Sequence, residues 1–213
     1  MKITKYYLDK ELKFILYNVH EIKLKYSIFR QLYIDEKFTN INLRLRSIAV
    51  IFSELLLKNI LMELSKLVVD SVKEDISIKR FIINYDASKY KCVTSKKYIY
   101  ITDKNTHKKK RFYLKGMNDV SNDINKLKQM LIDNENISIF LQFVRNKKIA
   151  HNDKTIFLVG KTKNKEINYS ELENYIDDIY FLFNKIYTDI YGKQIYFSNN
   201  VISELEYLNK VLK

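Results

Sequence analysis

The chain has no proline, no tryptophan, three glycines and one cysteine. Proline and glycine break helices and shape tight turns, so their near absence argues against a turn-rich β fold and for long, uninterrupted helices. The single cysteine, Cys92, permits no intrachain disulfide and no cysteine cluster for zinc, which predicts a cytoplasmic protein. The three histidines, His20, His107 and His151, lack the mutual spacing of metal ligands, and no glycine-rich phosphate loop is present. No metal, no cofactor and no NTPase chemistry are therefore expected. Long apolar runs are missing as well. Lys5, Asp9, Lys10, Glu11 and Lys13 interrupt the first twenty residues, and no segment reaches the roughly eighteen apolar residues of a membrane span, so neither a signal peptide nor a membrane partner is expected.

What is present suits a folded domain. The 213 residues are 46% hydrophobic and 14% aromatic, too apolar for a disordered chain and long enough for one domain spanning residues 1–213. The formal charge of +13 predicts attraction to a polyanion. Abundant Lys, Asn, Ile and Tyr also match the codon usage of an AT-rich genome, so charge alone gives RNA binding modest support.

Periodicity predicts an all-α helical bundle of about five to seven helices with a small β-hairpin inserted near residues 98–114. A first helix covers about Thr4 to Glu36, with Leu12, Ile15, Leu16, Val19, Ile22, Leu24, Ile28, Leu32 and Tyr33 on its buried face. Thr39 or Asn40 can cap a second, the most apolar block, Ile41 to Val69, expected to bury Ile48, Ile51, Phe52, Leu55, Leu56, Ile60, Leu61, Leu64, Leu67 and Val68 as the central core helix. A shorter helix follows at about Ile76 to Tyr90. Tyr98 to Thr102 and Arg111 to Leu114 read as strands around a basic loop, Asp103 to Lys110, whose Lys108, Lys109 and Lys110 are candidate phosphate contacts. Helices are then expected at Val120 to Asp133, from an N-cap at Asn136 through the motif below, at Glu171 to Tyr191 behind a Ser170–Glu173 capping box with Gly192 as the stop, and at Asn200 to Leu212. Thr155 to Val159 is largely apolar, and Gly160 to Glu166 reads as a polar surface loop.

Chemistry concentrates in Phe143-Val144-Arg145-Asn146-Lys147-Lys148-Ile149-Ala150-His151-Asn152-Asp153. Arginine grips phosphate with a fork of donors and histidine exchanges protons near neutral pH, a pair suited to phosphodiester cleavage. The segment follows Ile137, Phe140, Leu141 and Val144, a buried helical stripe. On a continuous helix Arg145 and His151 stand about 9 Å apart along the axis and about 120° apart around it, so one copy does not converge on one phosphate. If the helix runs on, His151 stays near the apolar stripe and faces the core, as a buried core histidine, a cleft or a partner chain; otherwise the helix ends before His151, or a second copy faces the first. A bland reading stays open too: basic groups in a last helical turn simply favour the negative pole of the helix dipole.

The order Arg145-Asn146-x3-Ala150-His151 resembles the R-x(4-6)-H signature of the HEPN superfamily, all-helical domains that include many prokaryotic ribonuclease toxins and phage-defence effectors, and the chain looks most like the AbiU-type abortive-infection branch. The resemblance implies catalysis by Arg145 and His151 with Asn146 in support, paired motifs across a homodimer cleft, and an antitoxin or nucleotidyltransferase partner. Asp153 is a supporting candidate, as a holder of the imidazole tautomer or as a solvated turn carboxylate. Lys147 and Lys148 are candidate RNA contacts. Some relatives carry a nucleotidyltransferase-modified tyrosine two residues after the histidine; Asp153 stands there instead. Three functions follow as expectations: a metal-independent endoribonuclease of phage defence or a toxin–antitoxin system, a non-catalytic RNA-binding or scaffold module, and a helical homodimer whose charge reflects genome composition. His20, the tyrosines and Asp70 are expected to be structural.

Overall fold

The computed structural model describes residues 5–34, 43–69, 76–85, 98–102, 109–113, 120–151, 161–162, 165–166 and 168–195. Leu8, Leu12, Ile15, Leu16, Val19, Ile22, Tyr26 and Phe29 recur at helical spacing and are all buried along α1 (Lys5–Phe29). A π-helical turn, Arg30–Ile34, ends the segment, and here Tyr33 is exposed rather than buried, stacking on Phe29 with ring centres 5.5 Å apart. The other helices are α2 (Leu43–Val69), α3 (Ile78–Tyr85), α4 (Ser121–Asp133), α5 (Glu135–His151) and α6 (Tyr169–Tyr191). The all-α bundle expected from periodicity is therefore the observed architecture. Between α3 and α4 lies an antiparallel hairpin of β1 (Tyr98–Thr102) and β2 (Lys109–Tyr113), and a two-residue pair, β3 (Lys161–Thr162) with β4 (Lys165–Glu166), occupies part of the expected polar loop.

Five helices close a ring: α1 packs on α2 and α6, α2 on α5, α5 on α4, and α4 on α6. Helix α3 bridges α2 and α4. One apolar cluster fills the ring and draws on all six helices. Its tyrosines are mainly structural, since Tyr26, Tyr85, Tyr175 and Tyr187 are buried within it.

Side-chain pairs give the helix directions. Along α1 and α6, Tyr187 donates to Asp9 at 3.1 Å, Lys23 meets Asp177 at 2.7 Å, Arg30 meets Glu173 at 2.7 Å, and the Tyr26 hydroxyl donates to the Tyr169 carbonyl at 2.6 Å. These two helices are antiparallel over nearly their full length. Lys25 pairs with Glu63 at 2.7 Å, tying α1 to α2. A parallel arrangement would put Ile34 and Leu43 more than 40 Å apart along the axis, beyond the roughly 32 Å that nine peptide steps can span, so α2 is antiparallel to α1. Nine residues past Lys25, Ile34 is then level with about Glu54, and the first ten or so residues of α2 extend past the end of α1.

Several helix ends differ from the sequence reading. Helix α6 is capped by Asn168, whose side chain accepts from the Ser170 amide at 2.9 Å, while Glu173 pairs with Arg30 instead of closing a capping box with Ser170. Helix α5 starts at Glu135, not behind an Asn136 cap. Gly192 does end α6, at φ 68°, the left-handed region that glycine enters without steric cost. The expected caps Thr39 and Asn40, the apolar stretch Thr155 to Val159, the last helix at Asn200 to Leu212, and Asp70, Cys92 and His107 lie outside the described residues.

Candidate functional site

Helix α5 carries Arg145 to His151 at its C-terminal end, and the break that precedes it is one residue long. The Asn134 amide donates to the Met130 carbonyl at 3.1 Å, and its own carbonyl accepts from Ile137 at 3.0 Å and Ser138 at 3.2 Å. Helical bonding thus continues through the bend, and the chain does not reverse between α4 and α5. The expected stripe of Ile137, Phe140, Leu141 and Val144 is buried. Arg145 is half-buried and Asn146 exposed.

The helix continues through His151, its last residue. Of the geometries left open, the early stop is thereby removed: Arg145 and His151 stand on one helix, about 9 Å apart along the axis and about 120° apart around it. His151 comes seven residues after Val144, two turns farther along the same helix. Lys147 and Lys148 lie on the same last turns of backbone. Asp153 and Lys108 lie outside the described residues, and Lys109 and Lys110 belong to strand β2 rather than to the hairpin loop.

Among the described residues, these last turns lie beyond the ends of α1 and α6. Asp123 at the start of α4 pairs with Lys185 at 2.6 Å, and Ser138 lies beside the buried Tyr175 hydroxyl without a well-aligned hydrogen bond, so the α4–α5 rod runs antiparallel to α6. Burial pushes Tyr175 up to about 12. From the Ser138 level, α6 extends only back to Tyr169, about 9 Å, whereas His151 lies about 20 Å onward. The motif therefore passes the ends of α6 and α1 and keeps company with the extended first half of α2.

That half of α2 departs most from expectation. Ile48, Ile51, Phe52 and Leu55 were expected in the core, yet they are exposed by 61%, 58%, 49% and 54%. Farther along the same helix Ile60, Leu61, Leu64, Leu67 and Val68 are buried as expected. At seven-residue spacing the outward positions read Lys66, Asn59 and Phe52, polar over the closed bundle and apolar beside the motif.

Other candidates resolve as structure. His20 is buried near the Tyr180 ring, and burial lowers its pKa, with a smaller lowering from Lys23 that opposes the influence of Glu21. The pair of buried Asp123 with Lys185 escaped the sequence reading because 62 residues separate its partners. An open cavity of about 410 Å³ flanks α6, but its two lysines are already engaged, Lys23 with Asp177 and Lys185 with Asp123. Among the described residues, no group of three or more His, Cys, Asp or Glu could hold a metal ion, and no helix is long and apolar enough to cross a membrane.

Neither the curated proteins nor the solved structures yield a match to the chain. A family model does match: AbiU2, over residues 44–208, a span that takes in α2 from its second residue, α3 to α6 and the whole Arg145–His151 segment while leaving α1 outside. With an all-helical bundle, and with the Arg-Asn-x3-Ala-His order at the C-terminal end of α5, the chain belongs to the HEPN AbiU2 family, an abortive-infection-related group of HEPN domains.

Proposed function

We propose that the protein is a metal-independent endoribonuclease of a phage-defence or toxin–antitoxin system, acting as a homodimer whose two Arg145/His151 motifs share one cleft. The observation that carries this reading is the uninterrupted helix. Two groups about 120° apart on one rod cannot close on the same phosphate, whereas residues from two facing rods can. The exposed apolar stripe on α2 supports it, because solvent-facing Ile48, Ile51, Phe52 and Leu55 beside the motif have the chemistry of a subunit contact rather than of a wetted surface.

In this mechanism His151 takes the proton of a ribose 2′-hydroxyl, the 2′-oxygen attacks the adjacent phosphorus, and the bond to the 5′-oxygen breaks as that oxygen gains a proton. The products are a 2′,3′-cyclic phosphate and a 5′-hydroxyl. Arg145 holds the phosphate and stabilises the charge that builds on its oxygens. Asn146 orients the phosphate or the imidazole, Asp153 steadies the imidazole tautomer, and Lys147 and Lys148 draw in the RNA backbone.

The test mixes wild-type chains with differently tagged Arg145→Ala/His151→Ala chains and purifies the mixed dimer. Cleavage of total RNA in EDTA, with cyclic-phosphate ends and no cutting of DNA, is the expected wild-type behaviour, and a nearly inactive mixed dimer is the expected signature of a shared cleft. Half the wild-type rate would mean two independent sites, and 3′-hydroxyl ends would overturn the mechanism. Salt-dependent RNA binding without cutting of any RNA would favour the non-catalytic binding module.

A further inference from the structure

The β1–β2 hairpin sorts its residues by chemistry. The register pairs Tyr98 with Tyr113, Ile99 with Phe112, Tyr100 with Arg111, Ile101 with Lys110 and Thr102 with Lys109. Directly paired residues share a face and alternate residues along a strand share a face, so one face holds Tyr98, Tyr100, Thr102, Tyr113, Arg111 and Lys109 and the other holds Ile99, Ile101 and Phe112 with Lys110. Among the described residues neither strand packs substantially against a helix. A lone two-stranded hairpin is marginal in water and gains from something laid against it.

We propose that the tyrosine face of this hairpin binds single-stranded RNA, its rings stacking on bases and its cations holding phosphates. Tyr98 and Tyr100 lie about 6.8 Å apart along one strand with Tyr113 across from Tyr98, three rings within ten paired residues. Stacking needs only a π face and tolerates any base, while Arg111 and Lys109 match the backbone charge. The surrounding sequence has the same sign: Lys104, Lys108, Lys109, Lys110 and Arg111 follow a single acid, Asp103, so the complement is a polyanion rather than a neutral peptide. The inference deepens the RNA reading above, resting on it for the identity of the polymer, and adds a binding element separate in sequence from the Arg145–His151 motif.

A fluorescent single-stranded 12-mer RNA of mixed sequence, presented to chains carrying His151→Ala so that the probe stays intact, reads the affinity. Tyr98→Leu/Tyr100→Leu/Tyr113→Leu should weaken binding at least tenfold with an unchanged salt slope, whereas the matching triple Phe variant, which keeps the rings, should stay within threefold. Lys109→Ala/Arg111→Ala should lower the salt slope by about 1.4, the share of two phosphates on a single strand. Equal affinity of the Leu and Phe variants would overturn the proposal. A second readout needs no hairpin variant: a 4-thiouridine version of the probe should crosslink to peptides within residues 98–113, and crosslinks confined to other segments would overturn it. Absent hairpin crosslinks in a protein whose His151-dependent cleavage persists would reject the hairpin alone, and hairpin crosslinks in a protein that never cuts would reject the nuclease alone.

Discussion

The two halves of α2 are similarly rich in Leu, Ile and Val, yet they live in different surroundings. From Ile60 onward the bundle wraps the helix and buries Ile60, Leu61, Leu64, Leu67 and Val68; from Ile48 to Leu55 it runs up to and past the end of α1 and presents the same residue types outward. Hydropathy records only that a side chain avoids water. Whether it does so inside its own chain or against another depends on where neighbouring helices stop, a property of their lengths and register.

The comparison breaks most visibly if the open half is made polar. Ile51→Asp/Phe52→Asp should leave the helical circular dichroism of the chain intact, convert the proposed dimer to monomer by light scattering, and reduce the proposed RNA cleavage on the order of a hundredfold, about 2.7 kcal/mol of barrier. A dimer of full activity would show that the stripe is not the subunit contact. In the closed half the effect falls on folding instead. Leu64→Ala removes a side chain with no exposure and should cost about 2–5 kcal/mol by urea unfolding, against about 0.5 kcal/mol or less for Leu55→Ala measured on dilute monomer. Equal costs would erase the distinction between the halves.

A smaller effect concerns the buried tyrosines of α6. Burial, helped by Asp9 at Tyr187, pushes Tyr175 and Tyr187 from the ordinary 10 up to about 12, so between those values the unfolded chain loses protons that the folded chain keeps. Stability should therefore fall as pH rises from 10 to 12, by at most about 2–3 kcal/mol per tyrosine, and Tyr175→Phe should flatten part of the slope. Lys185 acts in the same direction, since its hydrogen bond to Asp123 raises its pKa. A urea midpoint constant up to pH 12 would contradict this. The smallest effect is at acid pH. His20 is held neutral by burial, so stability is lost as pH falls below 6.5, where the unfolded chain takes up a proton first, and His20→Gln should remove that component of the acid slope.

Much of the bundle was legible in the sequence because it rests on local rules. The stripe Ile137, Phe140, Leu141, Val144 could bury itself only as a helix, Gly192 is the residue that enters a left-handed stop freely, and the Tyr-Ile-Tyr-Ile-Thr run prefers a pleated strand. The misses share a different cause. Asn168 and Ser170 are both competent caps two residues apart, and only the path of the chain decides between them. The Lys25–Glu63 and Asp123–Lys185 pairs join distant segments, so nothing local announces them. For the candidate site, Arg145 and Asn146 could be found by order alone, but the fate of His151 required knowing that α5 continues to it.

Helix α1 stands outside the stretch that the family model recognises, yet Leu12, Ile15, Leu16, Val19 and Ile22 on it have no exposure at all. The kinship segment and the folding unit are thus not the same piece of chain. Cutting at residue 44 would pull one stave from the ring of helices, stripping the inner walls of α2 and α6 together and taking away the ion-pair partners of Glu63, Glu173 and Asp177 in the same stroke.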